Sequence, residues 1–208
     1  AGFNPDLSPS RAYNLEGGWR FIQPENTFEA TLYAINTKDE ILPYELEDFP
    51  DRDFYRNAGN TSRMGIELFW EHQKGPWEWT VAYHYASIKF DDYVLKDKNL
   101  SGNFLPGIPQ QQINTSVQFD FSQGWGSALQ TQYTGSLYAD DANQTQVADY
   151  FLANLRIWKS FDTLSFFGGV NNLLDRAYFD NIRINAYGKR YYEPAPMRNL
   201  YLGMNLNF

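Results

Sequence analysis

The chain has 208 residues, no cysteine, 18% aromatic residues and a formal net charge of −8. The acidic balance argues against a nucleic-acid partner, which needs clustered cations, and the missing thiols exclude disulfides and thiolate metal centres. Mean hydropathy is −0.55 and no apolar run approaches the length of a membrane helix. A membrane crossing would have to be made by strands, where only every second residue meets lipid.

Alternation at a period of two predicts such strands along the whole chain. Tyr13, Leu15, Trp19 and Phe21 face one way, and Asn14, Glu16 and Arg20 the other. The segment Thr27–Ile35 follows with mixed faces. Met64, Ile66, Leu68 and Trp70 alternate with Gly65, Glu67 and Glu71. Trp77, Trp79, Val81, Tyr83 and Tyr85 alternate with Glu78, Thr80 and His84. Ile113, Val117, Phe119 and Phe121 alternate with Gln112, Asn114, Ser116, Gln118 and Asp120. Leu129, Thr131, Tyr133 and Leu137 alternate with Gln130, Gln132 and Thr134, and Phe151, Ala153, Leu155 and Ile157 with Asn154 and Arg156. Leu164–Asn171 puts Phe167 on its polar side. The last strand is the cleanest: Leu200, Leu202, Met204, Leu206 and Phe208 alternate with Asn199, Tyr201, Gly203, Asn205 and Asn207. One greasy face and one wet face is the unit of a transmembrane β-barrel. Fifteen Tyr, sixteen Phe and six Trp suit the aromatic girdles of such a barrel.

The fold expected is therefore all-β, an antiparallel transmembrane β-barrel segment of about nine strands occupying residues 1–208 as one domain. Tight turns at Pro24-Glu25-Asn26, Lys74-Gly75-Pro76, Ser122-Gln123-Gly124 and Phe161-Asp162-Thr163 alternate with long connections near 43–62, 89–111, 138–149 and 172–198. Short periplasmic turns and longer outer loops follow this rule in outer-membrane barrels. Connections so long without structure of their own are unusual in a compact soluble domain. Nine strands starting outside and ending inside do not make a complete single-chain barrel, which has an even count. Two bare edges in lipid would also leave backbone groups unpaired, at several kcal/mol each. A C-terminal portion of a larger barrel is expected. Ala1-Gly2-Phe3-Asn4-Pro5 has no leader character, so a cleaved or longer precursor is expected too.

Three stretches resemble one family, the TonB-dependent outer-membrane receptors. Asn4-Pro5-Asp6-Leu7-Ser8-Pro9 leads into Glu16-Gly17-Gly18-Trp19-Arg20, similar to the family's Asn-Pro-Asp-Leu-x-Pro-Glu loop and Glu-x-Gly-x-Arg strand, with Ser10 at the position of the final Glu of the loop. Asn57-Ala58-Gly59 before Arg63-Met64-Gly65-Ile66-Glu67 resembles its Asn-x-Gly…Gly-x-Glu strand entry. Asn171-Asn172-Leu173-Leu174-Asp175-Arg176-Ala177-Tyr178 resembles its Asn-Leu-x-Asp-x-x-Tyr segment. Gly203, Leu206 and the terminal Phe208 resemble the signal read by the barrel assembly machinery. The resemblance implies a barrel of the 22-strand type whose plug domain, N-terminal strands and TonB-contacting peptide all precede residue 1. It also implies the outer membrane of a Gram-negative bacterium, contact with its lipid and lipopolysaccharide, and TonB-driven import of a ferric siderophore or similar metal chelate. It implies no enzyme and no cofactor.

In such a receptor the ligand sits at the top of the lumen against loops and plug. Anionic, aromatic chelates suit Arg, Lys, Tyr and Trp. The candidates in the last long loop are Arg183, Tyr187, Lys189, Arg190 and Tyr191, beside Tyr192. Those in the first are Arg52, Tyr55 and Arg56, beside Tyr44 and Phe54. The competing reading makes these tyrosines girdle and these cations ordinary loop charges. Glu45, Glu47, Asp48, Asp51 and Asp53 also crowd the first loop, where a solvated acidic loop is preferred to a Ca²⁺ site because the EF-hand spacing is missing. Glu16, Glu67, Glu71 and Glu78 are expected on the inner face, pairing with Arg20, Arg63 or Arg156. His72 and His84 fall in strands, which disfavours a haem receptor. The alternative is a complete small barrel, structural or a hydrolase using His84 near Ser87. Deleting Phe208 is expected to impair insertion into the outer membrane, read by heat-modifiable mobility of the membrane fraction; normal insertion would remove the terminal-signal argument.

Overall fold

A computed structural model describes residues 5–189 and 192–206. Nine antiparallel strands build one sheet in strict chain order. They are β1 (Arg11–Gln23), β2 (Asn26–Lys38), β3 (Asn60–Lys74), β4 (Trp77–Asp92), β5 (Gln111–Asp120), β6 (Trp125–Thr134), β7 (Tyr150–Ser160), β8 (Leu164–Asn171) and β9 (Asn199–Leu206). Each strand pairs with its neighbour in sequence, so β1 and β9 are paired on one side only within this chain.

The register carries the alternation across strands without a slip of face. Trp19, Ala30, Leu68, Tyr83, Ile113, Tyr133 and Phe151 stand opposite one another in a single apolar row. One residue along, Gly18, Thr31, Glu67, His84, Gln112, Thr134 and Tyr150 form a row on the polar face. A one-residue slip would exchange the two rows. The apolar face is open: Leu15 is 77% exposed, Leu200 78% and Leu202 87%. Its aromatics gather at the two strand ends. Rings at the short-turn end touch across and along strands, with Trp77 on β4 and Phe119 on β5 at 4.4 Å, and Phe119 and Phe121 at 4.6 Å along the end of β5. Tyr13, Tyr85, Tyr133 and Phe151 mark the loop end. Aliphatic side chains fill the band between them, which is the pattern of a sheet turned toward lipid.

The two segments of mixed character share one cause. In β2, Tyr33 lies on the polar face directly opposite Gly65, where a Cβ would stand 2.4 Å from its ring. In β8, Phe167 lies opposite Gly203, again 2.4 Å from where a Cβ would be. Trp158 over Gly126 and Tyr201 over Gly169 repeat the arrangement. Each inward aromatic lies flat across the bare backbone of its cross-strand partner, which covers that glycine and fixes the ring.

The long connections are shorter than expected at their bases and are not structureless. β3 begins at Asn60 and β4 runs on to Asp92. Each connection carries its own two-stranded ladder: Ile41–Leu46 with Phe49–Asn57, Val94–Leu95 with Lys98–Asn99, Leu137–Tyr138 with Gln146–Val147, and Phe179–Ile182 with Tyr192–Pro194. The buried apolar cluster also lies at this end of the molecule. Leu42, Ala58, Phe90, Tyr93, Leu100 and Leu105 pack together, and Ala139, Val147 and Ala186 form a second group.

Replacing Leu68 by Arg is expected to cost about 2–4 kcal/mol near a bilayer midplane, while Glu67→Ala leaves folding nearly intact. Urea titration of the receptor refolded into lipid vesicles checks this, and equal losses would overturn the assigned faces.

Candidate functional site

The loop hairpins converge on one carboxylate. Asp141 is 2% exposed on its side chain and pairs with Arg56 at 3.0 Å. Tyr93 donates its hydroxyl to Asp141 Oδ2 at 2.9 Å, and Asn185 donates Nδ2 to Oδ1 at 2.9 Å. The Asp141 backbone N–H donates to Asn185 Oδ1, and its carbonyl accepts from Asn103 Nδ2, both at 2.9 Å. Arg56 Nε also donates to the Tyr93 hydroxyl at 3.1 Å, and its guanidinium lies 4.7 Å over the Tyr44 ring. Burial, then the neighbouring Asp141 charge, pushes the Tyr93 hydroxyl well above its usual range, so it stays protonated and remains a donor. A charge this buried is tolerable because both carboxylate oxygens accept hydrogen bonds, one of them from a guanidinium.

A second bridge ties the first loop to the last. Glu45, nearly buried, faces Arg183 at 3.5 Å and accepts the Tyr187 backbone N–H at 3.0 Å. Asn185 reaches the Pro43 carbonyl at 3.2 Å. Arg183 also meets Glu193 at 3.3 Å. Asn181 first, and Arg183 second, hold the Glu193 carboxyl below its usual range. A hydrogen bond to Glu47 raises the Tyr187 hydroxyl.

The two candidate loops predicted from sequence are therefore brought together, with Arg183 of the last leaning on Glu45 of the first, while Arg56 of the first turns to Asp141 in the third connection. Arg56 and Arg183 are engaged in loop-to-loop pairs. Arg52 lies 5.6 Å over the Phe54 ring, and Tyr55 and Tyr187 are 48% and 42% exposed. Tyr187–Lys189 form a short 3-10 turn; Arg190, Tyr191 and Phe208 lie outside the described residues. No group of acidic or histidine side chains among the described residues is placed to hold a metal.

On the inner face the expected ion pairs are exchanged for others. Arg20 meets its cross-strand partner Glu29 at 2.8 Å, and Arg63 meets Glu40 at 2.5 Å, rather than Glu16, Glu67, Glu71 or Glu78. Arg156 has no carboxylate partner among the described residues and stacks on Phe167 at 4.6 Å. The serine–histidine pairing fails on parity: Ser87 stands opposite Met64 on the apolar face, and His84 opposite Glu67 on the polar one. His84 Nε2 is instead hydrogen-bonded to the Tyr33 hydroxyl at 2.8 Å.

The family model for the TonB dependent receptor-like β-barrel matches residues 1–173. The chain belongs to this family. It is 27% identical over 182 residues to the ferrioxamine receptor of Yersinia enterocolitica, an alignment covering 83% of this chain and 24% of that receptor. The ferric yersiniabactin uptake receptor FyuA of Yersinia pestis superposes with a TM-score of 0.78 at 22% identity, over 96% of this chain and 30% of its own. The ferric-catecholate import receptor Fiu of E. coli K12, in its closed form, gives 0.74 at 20% identity, over 99% of this chain and 29% of its own. The chain thus spans 24–30% of the length of these relatives. The fold is that of a TonB-dependent receptor barrel, and the nine strands are part of one.

The motifs that point to the TonB-dependent receptors act here as tethers. Asn57 donates Nδ2 to the carbonyls of Ser8 and Asp39 and accepts the Ser8 N–H, so the second motif clamps the first. Gly59, at φ 72°, passes so close to the Asp92 carbonyl that a Cβ would stand 1.8 Å from its oxygen. Asn172, buried and left-handed at φ 51°, closes its turn by donating to the Arg176 carbonyl and accepting the Arg176 N–H, both at 2.8 Å. Asp175 accepts the Arg198 N–H at 3.0 Å and pairs with its guanidinium at 3.2 Å, joining the exit of β8 to the entry of β9. The backbone hydrogen bond first, and the guanidinium second, hold the Asp175 carboxyl below its ordinary 3.8. A lowered folded-state value means this tether is whole above that pH and is lost as pH falls through the depressed value.

Removing the Asp141 carboxylate leaves Arg56 uncompensated. Asp141→Ala is expected to cost about 3–5 kcal/mol of loop-cap stability, seen as faster amide exchange in all the connecting hairpins together. Exchange confined to residues 137–147 would mean that the hairpins are independent.

Proposed function

We propose that this chain is the C-terminal portion of an outer-membrane receptor that imports a ferric siderophore or a similar metal chelate. What supports this reading is a sheet with an apolar outer face, an aqueous inner face and two strands still in need of partners. The shares of length shared with the relatives point the same way. In this reading the remaining strands, a plug domain and the contact with the TonB complex precede residue 1, in a barrel of the 22-strand type. The outer face meets phospholipid below and lipopolysaccharide above, and Gly203, Leu206 and Phe208 serve the assembly machinery. The metal chelate is cargo, not a resident cofactor.

The ligand would be met at the loop cap. Arg52, Tyr55 and Tyr187 are proposed as direct contacts, with Lys189, Arg190 and Tyr191 beside them in the last loop. Arg183 would hold the last loop to the first through Glu45, and Arg56 the first to the third through Asp141. Aromatic faces and cations side by side suit anionic or aromatic iron chelators. The named ligands of the relatives, ferrioxamine and ferric yersiniabactin, belong to that broad class of metal chelates.

The reading is tested on the native protein. The receptor isolated from outer membranes is expected to have an intact mass several times 24.2 kDa, with residue 1 deep inside the chain. Cells carrying it should accumulate iron-55 from ferric siderophores only when TonB is present. A mass of 24.2 kDa, or uptake indifferent to TonB, would overturn the proposal.

A further inference from the structure

The apolar outer face is not uniform toward its short-turn end. On β6 to β9 the lower outward row is Trp125, Lys159, Phe166 and Met204, and the row above it is Ser127, Ile157, Gly168 and Leu202. The upper of these rows is short of side chain, since Ser127 is small and Gly168 has none. A hollow of about 520 Å³ opens there, lined by Leu155, Ile157, Phe166, Gly168, Val170 and Leu202, with Trp125 and Lys159 at its lower rim. Ile157 and Leu202 bound it on the two sides of Gly168. The hollow faces away from the lumen and lies between strands of this chain, so neither the contents of the lumen nor strands elsewhere in the barrel reach it.

Lys159 is the charge in this apolar surface. Its ammonium lies 5.4 Å from the centre of the Trp125 ring and 5.1 Å from that of Phe161, and it donates to the Gln123 carbonyl. Among the described residues it has no carboxylate partner. Lys74, the outward lysine at the turn between β3 and β4, by contrast pairs with Glu25 at 3.3 Å. The rings and the carbonyl hold the Lys159 charge at the level of the aromatic girdle, where headgroups lie. One carbonyl engages one of three ammonium donors, which leaves two for an outside acceptor. A cation fixed at headgroup depth, with no protein anion beside it, is complementary to an anion of the bilayer.

We propose that this face holds one glycerophospholipid of the periplasmic leaflet, with its phosphodiester on Lys159 and one acyl chain in the hollow over Gly168. The spacing fits. Gly168 lies one outward row above Lys159, about 7 Å away at roughly 3.3 Å per residue, so the glycerol ester spans the step from phosphate to hydrocarbon. A phospholipid satisfies both parts at once, whereas free phosphate would leave the hollow empty and a bare hydrocarbon would leave Lys159 without its anion. The backbone does not itself demand a glycine here. A Cβ on Gly168 would stand 3.3 Å from the end of the Leu202 side chain and from the Tyr201 carbonyl, close but not prohibitive. What a larger side chain would remove is the hollow. The inference rests on the outer-membrane reading of the chain and is independent of which solute is imported.

The test uses the full-length receptor, purified from outer membranes in mild detergent and stripped of lipid. Phosphatidylglycerol and phosphatidylcholine of equal chain length are titrated in, and bound lipid is counted by native mass spectrometry. The wild type is expected to take up one phosphatidylglycerol about fivefold more tightly than phosphatidylcholine, the effect of one basic residue on an anionic lipid. Lys159→Gln should erase that preference. Gly168→Leu should weaken both lipids about three- to fivefold, the effect of a handful of lost dispersion contacts, and keep the preference. Heat-modifiable mobility, which reports the folded barrel, should be unchanged in both variants. Glycerophosphoglycerol, which has the phosphodiester and no acyl chain, should not bind, and this comparison needs no variant. A preference that survives Lys159→Gln would overturn the site, as would lipid binding indifferent to Gly168→Leu in a folded receptor. Glycerophosphoglycerol held as tightly as the lipid would assign Lys159 to a free phosphate instead. A receptor dimer that Gly168→Leu breaks would assign the hollow to a second copy of the chain. A receptor missing from the outer-membrane fraction sinks the outer-membrane reading itself, whereas one that is present and folded but binds no lipid sinks the site alone.

Discussion

A strand in hydrocarbon has no water to satisfy its peptide groups, so each must find another strand on both sides. Nearly everything in this chain follows from that demand. Consecutive strands pair with one another because a short turn delivers the next strand at once, and a meander leaves no crossover to bury. The side chains are then sorted by parity alone, one face for lipid and one for water. A soluble sheet of the same size would hide its aliphatic face against a helix or a second sheet. Here Leu200 and Leu202 stay bare, and the apolar packing that a soluble domain places at its centre moves to the loops, around Phe90 and Tyr93.

The loop cap solves a different problem. Hairpins projecting into water have little apolar surface, and two-stranded ribbons are marginal by themselves. Their stability comes from interlocking. Asp141 collects Arg56, Tyr93, Asn103 and Asn185 from different connections, and Glu45 adds Arg183 and Tyr187. Because the Asp141 charge is buried and bonded at both oxygens, withdrawing one partner exposes the others to a desolvation cost they cannot recover locally. The hairpins therefore hold or open together.

The strands were readable because their signal is local. Alternation along ten residues needs no knowledge of the neighbour, and a register set by tight turns preserves it. Where the reading blurred, at Tyr33 and Phe167, the missing information was the cross-strand partner, Gly65 or Gly203. A glycine opposite an aromatic is a pair property that no single strand displays. The loops were less legible for the same reason carried further. Asp141 lies 85 residues from Arg56 and 48 from Tyr93, and nothing in Ala139-Asp140-Asp141-Ala142 distinguishes the second carboxylate from the first. The expected inner-face ion pairs failed because charge alone does not choose partners: Arg20 took the residue directly across the ladder, Glu29, and Arg63 reached up to Glu40. The family motifs were recognisable without being understood. Asn57, Gly59, Asn172 and Asp175 resolve into clamps on backbone turns, which explains why they lie at loop bases and not at the tips.

In the proposed import function, a cap tied together in this way would constrain how cargo is admitted. If single hairpins were free, each could fold over a ligand independently, and the entropy lost on closure would be repeated at every loop. With Asp141 and Glu45 holding all four connections together, most of that ordering would already be present before a ligand arrives, which would favour affinity by preorganisation. The same locking means that the cap wall cannot carry the solute inward by stepwise loop rearrangement. The inner wall beneath the cap differs in kind: its ladder is continuous and only side-chain chemistry varies from strand to strand. In the proposed import function, discrimination between solutes would begin with shape and charge at this rim.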